Sequence, residues 1–228
     1  MKGSEELPLV KKYRTLFADR EDLVLEYLNS VDNLNQENVK ERKEENNNII
    51  IEQGSLDEDN YMRKEIIVMD DSSFVVITLE NKKIAAPEND SEFSTLSISH
   101  PLGSYYTSTS YEIYNIPQDT VMKLTGQYTL SGSGITFNTH STAGTSAWFP
   151  DNINPKSSNF GNPSSASSPG DSAFIIGSFT YNFLGTNGVA IWSREYSAEI
   201  ELKYNYMTVQ PLPIGPRIYY DIDDSWTY

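Results

Sequence analysis

The spacing of hydrophobic residues changes at Ile49, and this change constrains the fold more than any other feature of the sequence. Upstream, residues 9–31 place apolar side chains at intervals of three and four, the period of an amphipathic α-helix. Downstream, apolar and polar residues alternate with a period of two, which is typical of strands with one buried and one solvated face. The sequence therefore predicts a mainly β protein preceded by a helical segment.

The N-terminal part is charged and poor in residues that form a core. Arg20 occupies a position of the helical stripe that should be apolar, so residues 9–31 form either one bent helix or two short ones. Residues 32–48 are almost wholly polar, and Val39 is the one aliphatic residue after Leu34. Because such a segment buries little apolar surface, we expect a solvated linker or a mobile helical tail. The predicted division is a helical segment and polar linker over 1–48 and a β-domain over 49–228.

The β-domain is predicted to be an antiparallel β-sandwich, jelly-roll-like in its many short strands. Clean alternation marks antiparallel sheets with one wet face, and Gly-rich turns separate the segments. In the predicted strand Ala198–Val209, Tyr206 is expected on the same face as Ile200, Leu202 and Tyr204. The predicted strands are Ile49–Ile51, Tyr61–Met69, Phe74–Glu80, Phe93–His100, Tyr105–Ile116, Val121–Leu130, Ile135–His140, Phe174–Phe183, Val189–Ser193 and Ala198–Val209.

Residues 150–172 break this pattern because they are dominated by Ser, Pro, Asn and Gly. Loops of this length are uncommon in compact domains and are often functional or disordered. We expect either an irregular excursion or a binding loop.

Charge and cysteine content exclude several classes of function. The chain has 17 Lys and Arg against 32 Asp and Glu, for a net charge of -15. This balance argues against nucleic acid and against anionic membrane surfaces as partners. Because the chain has no cysteine, disulfides, thiol catalysis and cysteine-ligated zinc or iron–sulfur sites are excluded. No stretch approaches the length of a transmembrane helix, so no membrane span is predicted.

Histidines and carboxylates are the candidates for chemistry. His100 and His140 fall at strand ends, and catalysis or metal binding would need a carboxylate or serine aimed at them. Asp221, Asp223 and Asp224 are weak calcium candidates, as are Asp70–Asp71 and Asp57–Asp59, although none matches an EF-hand loop. Solvated acidic turns are the simpler interpretation, and no other cofactor is predicted.

Aromatic residues are the richest feature of the β-domain. Exposed aromatic rings stack on sugars, whereas buried ones serve packing. Trp148, at the mouth of the predicted long loop, is the leading candidate for a ligand contact, with Tyr105 or Tyr106 as a second stacking residue.

Two stretches, Tyr128–Gly132 and Trp192–Ile200, carry a resemblance to uncharacterised secreted or surface proteins of Gram-positive Firmicutes. The resemblance covers about residues 60–209. It implies export, with the leader absent from this chain, and implies no known activity.

The expected function is that of a non-enzymatic binding protein, secreted or at the cell surface, with an unknown glycan or protein ligand. One alternative is a secreted hydrolase that uses His140 with an acidic partner. Another is a toxin or bacteriocin-like effector in which residues 9–31 form a pro-segment or docking element.

Overall fold

The alternating segments form two antiparallel β-sheets that pack face to face, which confirms the predicted mainly β sandwich. The computed structural model describes residues 20–45, 49–53, 60–84, 98–115, 118–146, 151–185, 189–211 and 214–227. Among these residues, no helix combines the length and the apolar character needed to cross a membrane.

The described residues form twelve strands in two sheets. Sheet A has the order β1-β2-β3-β5-β6-β7-β9 and sheet B the order β4-β12-β11-β10-β8, and all neighbours are antiparallel. In chain order the strands are β1 (Ile49–Gln53), β2 (Asn60–Val68), β3 (Phe74–Lys83), β4 (Ile98–Pro101), β5 (Gly103–Asn115), β6 (Gln118–Ser131), β7 (Gly134–Ser146), β8 (Asp151–Phe160), β9 (Ser165–Ala166), β10 (Ser172–Leu184), β11 (Ala190–Val209) and β12 (Pro216–Thr227).

The core lies between the two sheets and is built by every second residue of their strands. From sheet A, β5 buries Tyr105, Tyr111 and Ile113, and from sheet B, β10 buries Ile175 and Phe179. Each such side chain contributes about 1.5–3 kcal/mol by leaving water. Burial of the alternating apolar side chains between the two sheets therefore stabilises the sandwich.

The segment before the sheets is helical and packed, so the predicted solvated linker or mobile tail over residues 32–48 is wrong where the structure describes it. Helix α1 covers Glu21–Ser30, a 3-10 turn covers Asp32–Leu34 and helix α2 covers Gln36–Glu44. Leu34 and Val39 are each 1% exposed and belong to the same core as the sheets. Leu28 and Val31 at the end of helix α1 and just after it are buried in the same core, so the whole segment docks as a unit. The predicted helix over residues 9–19 lies outside the described residues.

Asn33 fastens this segment to sheet A. Its side chain is buried, and Nδ2 donates to the carbonyl oxygens of Phe74 at 3.1 Å and Tyr114 at 3.0 Å. Its backbone N–H donates to Ser73 Oγ at 3.2 Å. These bonds reach the turn before β3, the start of β3 and the end of β5, so one residue joins the helical segment to two strands and a turn.

We predict that Asn33→Ala loosens the docking of helix α2 by about 2 kcal/mol, because two buried carbonyl groups lose their donor. Amide hydrogen exchange should accelerate over residues 36–44 and stay unchanged in the central strands. Asn38→Ala is the matched control, since the Asn38 amide bonds to Asp32 within the segment itself. Equal exchange in wild type and Asn33→Ala would contradict this role.

The predicted long loop over residues 150–172 is also wrong, because most of it forms strands β8 and β9. Strand β8 lies at the edge of sheet B, where Pro155 is tolerated beside a register shift opposite Ser178 and Phe179. Ile153 is buried against Gly144, where even a Cβ atom would come within 2.0 Å of the Ile153 side chain. A Ser- and Asn-rich sequence conceals this strand since only one of its residues needs to be strongly apolar.

A hydrogen-bonded polar cluster lies inside the core and joins the two sheets. Sheet A contributes Asn81 and Tyr128, and sheet B contributes His100 and Tyr220, all with no exposed surface. The Tyr220 hydroxyl lies 2.5 Å from the Tyr128 hydroxyl, 3.1 Å from Asn81 Nδ2 and 2.7 Å from His100 Nδ1. The Tyr128 hydroxyl lies 2.8 Å from Asn81 Oδ1. Burial raises the pKa of both phenols far above the usual value, so both keep their protons.

We predict that Tyr220→Phe lowers the free energy of unfolding by about 1–3 kcal/mol, because polar partners in the core lose the hydroxyl they share. Urea denaturation followed by circular dichroism measures the change. Tyr204→Phe is the control: Tyr204 pairs with Tyr220 in register but its hydroxyl is not part of the cluster, so its effect should be within about 0.5 kcal/mol. Equal stability of the two variants would show that the cluster adds nothing.

Candidate functional site

Of the three aromatic residues predicted to contact a ligand, Tyr105 is buried in the core. Tyr105 is completely buried, its hydroxyl donates to the Pro101 carbonyl at 2.8 Å, and its ring stacks on Tyr128. The prediction that Tyr105 presents a free ring to a ligand is therefore wrong. Tyr106, on the other side of β5, is half-buried, and Trp148 lies outside the described residues.

The three C-terminal carboxylates lie on a strand rather than in the predicted acidic turn. Because neighbouring residues of β12 point to opposite faces, Asp224 is buried while Asp221 and Asp223 are exposed. They therefore do not converge as a calcium site. Across the described part of the chain, no group of three or more potential metal-ligating side chains of this kind comes together.

Asp224 instead joins the two sheets. Its carboxylate lies 2.6 Å from Arg63 Nη2 on β2 and accepts a hydrogen bond from Thr109 on β5. Burial alone would lower the pKa of Arg63, but the attraction of Asp224 and Asp223 outweighs it and raises that pKa. Trp226 Nε1 donates to Thr109 Oγ1 at 2.9 Å, so the indole is linked through Thr109 to the Asp224 carboxylate. The carboxylate is thus occupied by structural partners.

The other acidic candidates are equally accounted for or not described. Asp70 accepts from Arg42, and Asp71 accepts from the backbone N–H groups of Asp32 and Ser73. Residues 57–59 lie outside the described residues.

The two histidines occupy different environments. His100 belongs to the buried cluster between the sheets. His140 is half-buried on β7, with Nδ1 at 2.8 Å from Ser158 Oγ of β8 and its ring edge-on to Phe160. The described contacts of His140 are thus a hydroxyl and an aromatic ring, whereas the predicted hydrolase needs an acidic partner.

A stacked pair of tyrosines, missed by the sequence analysis, consists of the exposed Tyr206 and the half-buried Tyr219. Tyr206 on β11 and Tyr219 on β12 face each other in register, with ring centroids 4.3 Å apart and planes within 12° of parallel. Tyr206 is 46% exposed. We call these two residues the tyrosine pair.

A β-bulge creates the tyrosine pair. The register shifts between Tyr204 and Tyr206, so Asn205 is the extra residue of β11. Tyr204 therefore remains buried while Tyr206 turns outward, which corrects the prediction that both share the inner face. Bulges often re-aim a side chain in this way. Since Tyr219 and Tyr220 are adjacent in a strand, the sequence did contain one signal that an aromatic ring must face outward.

Polar side chains border the tyrosine pair. Asn205 Nδ2 donates to Asp221 Oδ1 at 2.9 Å, next to Tyr206 and two residues from Tyr219. On the other side Arg217 is held by Ser99, whose Oγ accepts from its Nε at 2.8 Å. An aromatic surface with donors and acceptors on both sides suits a polar ligand that also has an apolar face.

Comparison with models of protein families, with curated proteins and with solved structures gives no match at the level of significance required.

Proposed function

We propose that this protein is a non-enzymatic binding protein of the cell exterior or cell surface that recognises carbohydrate through the tyrosine pair. The observation that carries the proposal is the stacked pair, in which a bulge turns the exposed Tyr206 ring out of the core. A ring that could be buried but is held at the surface marks an interaction site more strongly than isolated exposed residues do.

The chemistry of the face fits a sugar. The C–H groups on one side of a pyranose pack against an aromatic ring, and its hydroxyl groups need donors and acceptors nearby. The Asp221 carboxylate and the Asn205 amide supply both kinds of group beside Tyr206. The guanidinium of Arg217, anchored by Ser99, adds a positive donor. Because the anchoring bonds already hold these side chains, little conformational entropy is lost on binding.

The proposed location rests on the resemblance of Tyr128–Gly132 and Trp192–Ile200 to secreted and surface proteins. The composition agrees with it: a cysteine-free chain of net charge -15 is insensitive to redox conditions and well hydrated.

We predict that Tyr206→Ala weakens glycan binding by about twofold to tenfold, since a stacked ring contributes about 0.5–1.5 kcal/mol. A glycan array followed by calorimetry with the best ligand measures the loss. Tyr206→Phe keeps the ring and should keep most of the affinity.

Tyr106→Ala is the matched control for another aromatic residue, and it should bind as wild type does. The proposal fails if wild type binds no glycan or if Tyr206→Ala binds equally well. Loss of binding in Trp148→Ala with normal binding by Tyr206→Ala would assign the glycan to Trp148 and overturn the role of the tyrosine pair.

A further inference from the structure

A cleft separates helix α2 from one end of the sandwich, away from the residues of the tyrosine pair. Its volume is about 610 Å³, which lies within the range of small-molecule sites. Its lining residues are Asn35, Glu37, Lys40, Lys43, Ile77, Arg194, Trp226 and Thr227.

The cleft has an apolar base and a charged rim. Ile77 of sheet A and Trp226 of sheet B are 5% and 9% exposed, and both belong to the packed core or its edge. The Trp226 indole is fixed by its hydrogen bond to Thr109 and by stacking on Phe179. A rigid indole and an aliphatic side chain at the base favour a flat apolar or aromatic group.

The rim of the cleft is positively charged, although the chain as a whole is strongly negative. Among the described lining residues it has three cations, Lys40, Lys43 and Arg194, against one carboxylate, Glu37, on a chain of net charge -15. Lys43 also forms an ion pair with Glu65 at 3.2 Å. Arg194 is positioned by the Trp192 ring, whose centroid is 5.1 Å from its guanidinium carbon. Concentrated positive charge beside an apolar surface attracts anions and raises their local concentration.

We propose that this cleft binds a small amphipathic anion, with an aromatic or apolar body on Trp226 and Ile77 and a carboxylate, sulfonate or phosphate group between Lys40 and Arg194. The proposal is independent of glycan recognition because the two surfaces share no residue.

The test uses 8-anilinonaphthalene-1-sulfonate as the anionic probe and N-phenyl-1-naphthylamine, which has nearly the same rings without the sulfonate, as the neutral probe. Fluorescence titrations should show saturable binding of the sulfonate to wild type. The double variant Lys40→Gln/Arg194→Gln should weaken it about tenfold and leave the neutral probe unaffected. Lys82→Gln/Lys123→Gln, which removes the same charge from sheet A outside the cleft, should bind as wild type does.

A gain of affinity provides the second arm. Partial unfolding would raise the binding of both probes, whereas removal of a like charge should raise the binding of the sulfonate alone. Glu37→Gln should tighten sulfonate binding by about twofold to fivefold at low salt, because it removes a like charge from the rim, and added salt should reduce the gain. The indole N–H resonance of Trp226, assigned with Trp226→Phe, should shift on titration. Unchanged affinity in both cleft variants, or an unmoved Trp226 resonance during saturable binding, would overturn the proposal.

Discussion

The hydrogen-bonded cluster of Asn81, Tyr128, Tyr220 and His100 determines how the two sheets face each other. Three of these groups, the two phenols and the amide, contact one another in a triangle. Each phenol has one proton, and the hydrogen bonds within the triangle use both protons in either orientation of the Asn81 amide. The Tyr220 hydroxyl therefore has no proton to donate to His100. His100 Nδ1 must instead carry a hydrogen and donate it to the Tyr220 oxygen. Every contact in this buried cluster is then a hydrogen bond with one donor and one acceptor. Sliding one sheet over the other would leave some of these buried polar groups unpaired, so the cluster favours one relative position of the sheets.

The position of Tyr220 in the cluster also fixes the orientation of its neighbour Tyr219 at the surface. Since Tyr220 is held inward by the cluster, Tyr219 must point outward from the same strand. Strand β11 then uses its bulge at Asn205 to keep Tyr204 inside and bring Tyr206 beside Tyr219. The tyrosine pair is therefore a consequence of the packing of the core and the bulge together, and it is held on paired strands rather than on a loop. The ion pair of Arg63 with Asp224 joins the sheets farther along β12 and supports the Trp226 indole in the cleft.

Sequence periodicity was sufficient for the fold class and for most central strands, since a half-buried strand must alternate. It failed where burial depends on partners distant in the chain. Helix α2 has a single buried aliphatic residue, Val39, and packs because Asn33 meets carbonyl groups of two strands. Strand β8 is half Ser and Asn and is recognisable only by its pairing with β10. The bulge at Asn205 leaves no trace in the sequence, because the alternation from Ile200 to Tyr206 is regular, so the outward position of Tyr206 could not be predicted.

The most direct test of this account is the protonation of His100, observed by ¹⁵N NMR of the imidazole in the folded protein and assigned with His100→Gln. The proton accounting requires Nδ1 to carry a hydrogen, with a coupling or cross-peak that places it next to the Tyr220 hydroxyl. An Nδ1 without a proton would contradict the closed cluster, and with it the reason that Tyr220 faces inward and Tyr219 outward.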